Sequence, residues 1–136
     1  MFIIYNLISN LMKNILFIED EAVMQKAVSD FLAVAGYNVI SALDGETGVE
    51  MARGKQPDLI LLDIILPKKN GFEVIGDLKG DPRTKEIPII VLTNLSQMED
   101  VSKMMEKGIT TYLLKSDQSL QDILAIVKKT LEGGQS

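Results

Sequence analysis

The sequence predicts an α/β domain, a five-stranded parallel sheet wound with helices on both faces. Three observations carry this expectation. Five short apolar runs alternate with five stretches of helical spacing. Runs such as Leu59-Ile60-Leu61-Leu62 are continuously apolar rather than alternating, which is the pattern of strands buried on both faces. A helix-length segment follows each run, so neighbouring strands connect by right-handed crossovers rather than hairpins. The 136 residues suit one such domain.

The first strand, Asn14 to Ile18, ends in Glu19-Asp20-Glu21. Met24, Ala27, Val28, Phe31, Leu32 and Ala35 then recur at helical spacing, and Gly36 is a natural stop. Tyr37 to Ala42 is the second strand. Asp44 can cap a helix from about Gly45 to Arg53, with Val49, Met51 and Ala52 turned inward. The third strand ends at Asp63, within DLILLDIILPKKNG, and Pro67 and Asn70-Gly71 break the apolar pattern. About two turns of helix follow from Gly71, with Phe72, Val74, Ile75 and Leu78 apolar, until Gly80-Asp81-Pro82 ends them. Pro88 to Thr93 is the fourth strand. Ser96-Gln97-Met98-Glu99 has the form of a capping box, opening a helix to about Lys107 that Gly108 ends. Thr111 to Lys115 is the fifth strand. Ser119 and Asp122 make a second box-like start, and Leu120, Ile123, Leu124, Ile126, Val127 and Leu131 form the inner face of the last helix.

The domain is expected over residues 13–132, with 133–136 a frayed tail. Residues 1–12 (MFIIYNLISNLM) are set apart as an apolar N-terminal extension; either Met12 is the natural start and residues 1–11 lie upstream of it, or the stretch is a short helix that docks on the domain or on a membrane surface. The stretch is far below the ~20 residues a membrane span needs. It has neither a basic leading region nor a small-residue cleavage site.

A net charge of −5 argues against a dedicated nucleic-acid surface, which relies on clustered Lys and Arg. With no cysteine and no histidine, any reactive group is a carboxylate, a hydroxyl or an amine. The strand ends supply all three. Glu19 and Asp20 end the first strand, Asp63 the third, Thr93 the fourth and Lys115 the fifth. In a doubly wound sheet these ends share one edge, where ligands bind. Crowded carboxylates repel, so a divalent cation is the natural resolution. Oxygen-only donors point to Mg²⁺ or Mn²⁺ rather than zinc. A lysine beside them can neutralise an incoming phosphoryl group, and a threonine hydroxyl can hydrogen-bond it.

Taken together, IEDE, DIILPKKNG, VLTN and YLLK resemble the receiver domain of two-component response regulators, over essentially Lys13 to Leu131. The resemblance implies a flavodoxin-like fold with strand order 2-1-3-4-5 and a cytoplasmic, stand-alone signalling role. It implies that Asp63 accepts a phosphoryl group from a partner histidine kinase or histidine phosphotransfer protein. Asp20, Asp63 and the backbone carbonyl of Ile65 would hold Mg²⁺, with Glu19 acting through water. Lys115 would pair with Asp63 and then with the phosphoryl group. Thr93 would turn toward a phosphoryl oxygen, with backbone N–H groups near Ile64 and Asn94 assisting. Tyr112 would rotate inward, shifting the face of the fourth helix, fifth strand and last helix that meets a downstream protein.

Two departures from the family pattern carry expectations. Ser116 stands where the family usually has proline, so the Lys115–Ser116 bond is either trans with an altered loop or a held cis bond costing ~3 kcal/mol. Ile65 and Leu95 are bulky and apolar beside the site, which predicts slow self-dephosphorylation. The methionines are mainly core filler, although Met98, Met104 and Met105 could form an adaptable partner face. Three rival functions compete. A Mg²⁺-dependent phosphatase would want an acid at position 65. A nucleotide or flavin binder would meet repulsion from Glu19-Asp20-Glu21. A receiver-like module that only binds partners would not require the full acid, threonine and lysine set.

Overall fold

The computed structural model describes residues 13–133. Its elements run β1 (Asn14–Ile18), α1 (Ala22–Val34), β2 (Asn38–Ala42), α2 (Gly45–Lys55), β3 (Leu59–Leu62), α3 (Gly71–Lys79), β4 (Ile89–Thr93), α4 (Met98–Glu106), β5 (Thr111–Leu114), a 3₁₀ turn (Lys115–Asp117) and α5 (Leu120–Gly133). All neighbouring strands are parallel, in the order β2-β1-β3-β4-β5. This is the expected fold. The expected N-terminal extension and residues 134–136 lie outside the described residues.

The continuous apolar runs feed two cores at once, because successive side chains of a strand point to opposite faces. Leu16, Ile18, Ile60, Leu62 and Val91 pack with Val49, Ala52, Val74, Ile75, Leu78 and Met104 under α2, α3 and α4. Ile15, Phe17, Leu59, Leu61, Ile90 and Leu92 pack with Val28, Leu32, Ile123 and Val127 under α1 and α5. All four residues of β3 are fully buried, each contributing ~1.5–3 kcal/mol by leaving water. This strand anchors Asp63.

Several local expectations change. Ala27 faces solvent, and Gln25 takes the buried place, because residues 25, 28 and 32 are the ones facing the sheet. The Ser96–Glu99 capping box does not form. The helix starts later than that motif needs, with Gln97 at its N-cap and no side-chain cap bond. A box forms instead at α3, where Asn70 Oδ1 accepts from the Glu73 N–H (3.0 Å) and Glu73 Oε1 from the Asn70 N–H (3.1 Å). The Ser119–Asp122 box forms as expected, and Asp44 caps α2 by accepting from the Thr47 N–H at 2.7 Å. That helix runs on to Lys55, where Gln56 ends it in the left-handed region (φ 45°). The last helix includes Gly133.

Two glycines fix the loop after Asp63. A Cβ on Gly71 would lie 2.5 Å from Ile64 Cα, and one on Gly45 would lie 1.8 Å from the Lys69 carbonyl oxygen. These approaches let the Gly71 N–H donate to Ile64 O (2.7 Å) and the Gly45 N–H to Pro67 O (3.4 Å). Lys68 sits at the apex with φ 67°, bridged by a Lys69 N–H to Pro67 O bond of 2.7 Å. The β3–α3 loop is thus clamped between two helix starts.

Candidate functional site

Register brings the strand ends to one edge. Ile18 is level with Leu62, Leu62 with Val91, and Thr93 with Leu114, so Glu19, Asp63, Thr93 and Lys115 emerge together. The Asp63 N–H donates to Ile18 O (3.1 Å), carrying the backbone pairing one residue past β3. Asp63 is itself buried. Its Oδ1 accepts from the Ile64 N–H (2.7 Å) and, at the margin, the Ile65 N–H (3.4 Å). Its Oδ2 accepts from Lys115 Nζ (3.0 Å).

Lys115 Nζ also lies 2.7 Å from Glu19 Oε1 and 3.8 Å from Glu21 Oε1. The Glu19 contact is an ion pair whose angles fall outside hydrogen-bond geometry, so Oε1 keeps acceptor capacity although it is fully buried. Glu19 Oε2 accepts from the Glu21 N–H (3.1 Å). Burial pushes the Glu19 carboxyl above the usual range, and Lys115 only partly offsets it. Burial also pulls the Lys115 ammonium down, but Glu19 and Asp63 outweigh it and hold its pKa above the ordinary lysine value. The lysine is therefore a cation at neutral pH.

Glu19, Asp20 and Asp63 each offer a carboxylate oxygen, all within 4.8 Å of one another. Oxygens directly around a Mg²⁺ at ~2.1 Å stand ~3–4 Å apart, so Asp20 and Asp63 are near the spacing of direct ligands, and Glu19 is close enough to reach the cation through water. The donors are hard oxygens, Asp20 is open to solvent, and Lys115 contacts only Glu19 and Asp63 of the three acids. The set fits a small divalent cation.

The remaining expected residues fall around this centre. Thr93 ends β4, fully buried, and its hydroxyl accepts weakly from the Leu95 N–H (3.5 Å). Ile65 is 59% exposed, Leu95 half-buried and Asn94 exposed. Tyr112 lies on β5 against the α2–α4 core. Its hydroxyl is sealed from solvent without a hydrogen-bond partner among the described residues. Burial, then Asp100, raises its pKa. The Lys115–Ser116 bond is trans and opens the 3₁₀ turn, which settles the alternatives at that position. Met104 is buried, which leaves Met98 and Met105 as the exposed methionines of α4.

Sequence reading missed Gln25. It is a buried amide whose Nε2 donates to Phe17 O (3.2 Å) and Glu19 O (3.4 Å). The signal was present, since position 25 shares the helical face of Val28 and Leu32. A polar residue there requires partners.

The response regulator receiver domain model matches residues 15–128. The chain is 39% identical over 122 residues to the DNA-binding dual master transcriptional regulator RpaA of Synechocystis sp., covering 88% of this chain and 51% of RpaA. It thus spans about half the length of that relative. It is 33% identical over 103 residues to the polar-differentiation response regulator DivK of Brucella anthropi, covering 76% of this chain and 84% of DivK. The receiver domain of a Pseudomonas aeruginosa sensor histidine kinase, solved with a magnesium ion in its active site cleft, superposes with a TM-score of 0.81. It shares 27% identity and covers 88% of this chain and 98% of its own. No helix among the described residues is long and apolar enough to cross a membrane. On sequence and fold alike, the chain belongs to the response regulator receiver domain family.

Proposed function

We propose that Asp63 takes a phosphoryl group from a phosphohistidine of a partner kinase or phosphotransfer protein. The observation that carries this reading is a buried aspartate at the sheet edge, with Lys115 on one oxygen and two further acids within reach of one cation. Asp63 attacks phosphorus, the P–O bond to its carboxylate forms, and the P–N bond breaks. The leaving imidazole nitrogen keeps the bond electrons and takes up a proton. No base on this chain is needed, because the nucleophile is already an anion.

Each neighbour then has a role. Lys115 holds Asp63 in place before transfer and pairs with a phosphoryl oxygen afterwards. The Ile64 N–H, now bonded to Asp63 Oδ1, is at hand for a second oxygen, and Thr93 supplies a hydroxyl to a third. Asp20, Asp63 and the Ile65 carbonyl would hold Mg²⁺, or Mn²⁺ in its place, with Glu19 acting through water. The cation supplies charge neutralisation for the acids and the transferred group.

Signalling runs through α4, β5 and α5, with Thr93 and Tyr112 as the switch. Met104 is the one buried residue of α4, so little apolar packing holds that helix down. Weakly anchored elements are the ones whose populations a ligand shifts. The reader is a protein that binds this face in the cytoplasm.

Fluoroberyllate, a phosphoryl mimic, tests this reading. With Mg²⁺ it should move the backbone NMR resonances of Asp63, Thr93, Lys115 and the α4–β5 segment, and Asp63→Asn should abolish the response. Unmoved resonances in the wild-type chain would instead favour a module that binds partners without phosphate.

A further inference from the structure

We propose that Gln25 is a positioning residue for the acidic pair Glu19-Asp20, and so for the cation. This rests on the metal-site reading above. Gln25 is 8% exposed and fully engaged. Its amide nitrogen donates to Phe17 O and Glu19 O, and its Oε1 accepts from Ser29 Oγ (2.7 Å) and Ser41 Oγ (2.6 Å). The two carbonyls can only accept, which fixes which end of the amide faces them.

The location gives this amide its function. The Glu19 N–H still pairs with Ala42 O (3.0 Å), but β1 ends at Ile18, and the Glu19 carbonyl leaves the sheet where the acids begin. Helix α1 opens there with no side-chain cap from Glu21. Gln25, one turn in, ties the Glu19 carbonyl to the helix, and through Ser41 to β2. Glu19 and Asp20 are adjacent in sequence, so a backbone held at Glu19 sets the direction of both carboxylates. Residues behind metal ligands act by holding them in orientation.

The test compares four variants by Mg²⁺ titration of the folded protein. Gln25→Met and Gln25→Leu keep most of the volume and remove every bond. Both should raise the Mg²⁺ Kd ~10-fold. Ser29→Ala spares the carbonyl bonds and should stay within about twofold. Thr84→Val removes a buried hydroxyl bond to Leu78 O in the α3–β4 connection. It should lower the melting temperature without moving the Kd, which separates positioning from general destabilisation. A second readout needs no metal. In chelator, the wild-type Gln25 side-chain amide protons should exchange slowly, and the Glu21 amide should lose protection in Gln25→Met. Wild-type Kd values in both Gln25 variants, or solvent-rate exchange of the Gln25 amide, would overturn the proposal. A wild-type chain that binds no Mg²⁺, indistinguishable from Asp20→Asn, would instead overturn the metal-site reading.

Discussion

Replacing Lys115 by methionine removes the only cation in contact with Asp63 and Glu19 among the described residues, while keeping most of the side-chain volume. Its nitrogen stands 2.7 Å from Glu19 Oε1 and 3.0 Å from Asp63 Oδ2. At an effective dielectric of about 20 these attractions are ~6 and ~5.5 kcal/mol. Desolvating the ammonium offsets several kcal/mol of that sum. Breaking a buried pair by removing one partner costs ~3–5 kcal/mol, since the other charge stays behind. Water reaches the Lys115 side chain, which is 11% exposed, so the lower end applies: about 3 kcal/mol. For a domain of this size that is a fall of ~10–15 °C in melting temperature. The assay is a thermal melt with a parallel urea titration, at neutral pH in chelator. Added Mg²⁺ should restore more stability to Lys115→Met than it gives the wild type, because the cation then supplies the missing positive charge. Glu19→Gln in the same background should recover part of the loss. A mutant melting within about 3 °C of wild type in chelator would refute the reasoning. The acids would then be solvated rather than gathered around the lysine.

Four further outcomes follow from the same geometry. Asp20→Asn should raise the melting temperature in chelator by relieving repulsion on the order of 1 kcal/mol, while abolishing Mg²⁺ binding; an unchanged or lower value would contradict a shared acidic site. Gly71→Ala should cost ~2–3 kcal/mol in urea, because its Cβ would meet the Ile64 backbone at 2.5 Å; a neutral result would show that the β3–α3 loop gives way. Ile65→Asn and Leu95→Lys should each shorten the phospho-Asp63 lifetime severalfold by admitting water, and an unchanged decay would remove them as barriers. The Arg83 guanidinium and N–H, with Arg53 behind them, hold the Asp81 carboxyl well below its usual range. A depressed carboxyl contributes stability above the unfolded pKa of about 4 and loses it as pH falls below that value. Asp81→Asn should therefore melt lower than wild type at neutral pH, with the gap narrowing in acid; a pH-independent gap would count against it.

The parallel sheet was legible because β1, β3 and β4 carry continuous apolar runs, the pattern of strands covered on both faces, whereas the strand order came from the family resemblance. The site was legible for a related reason. Polar residues directly after apolar strands can only sit at the sheet edge, so Glu19, Asp63, Thr93 and Lys115 declared themselves by position. Cap positions were less so. Ser96–Glu99 and Asn70–Glu73 carry equivalent motifs, yet the box forms only at the second, where Gly71 also packs tightly on Ile64. Gln25 was hidden by a different effect. Its partners are two backbone carbonyls and two serines from separate elements, and a single helix pattern contains none of those contacts. The burial of Glu19 and its pairing with Lys115 likewise depend on β1, β3 and β5 converging, which no local motif encodes.

The most direct measurement is intact-mass spectrometry after incubation with a small phosphoramidate donor and Mg²⁺, followed by peptide mapping of the reduced acyl phosphate. The account predicts one phosphoryl addition, located at Asp63, absent in Asp63→Asn and absent in chelator. An addition that maps elsewhere, or a wild-type chain that stays unmodified while binding Mg²⁺, would contradict it.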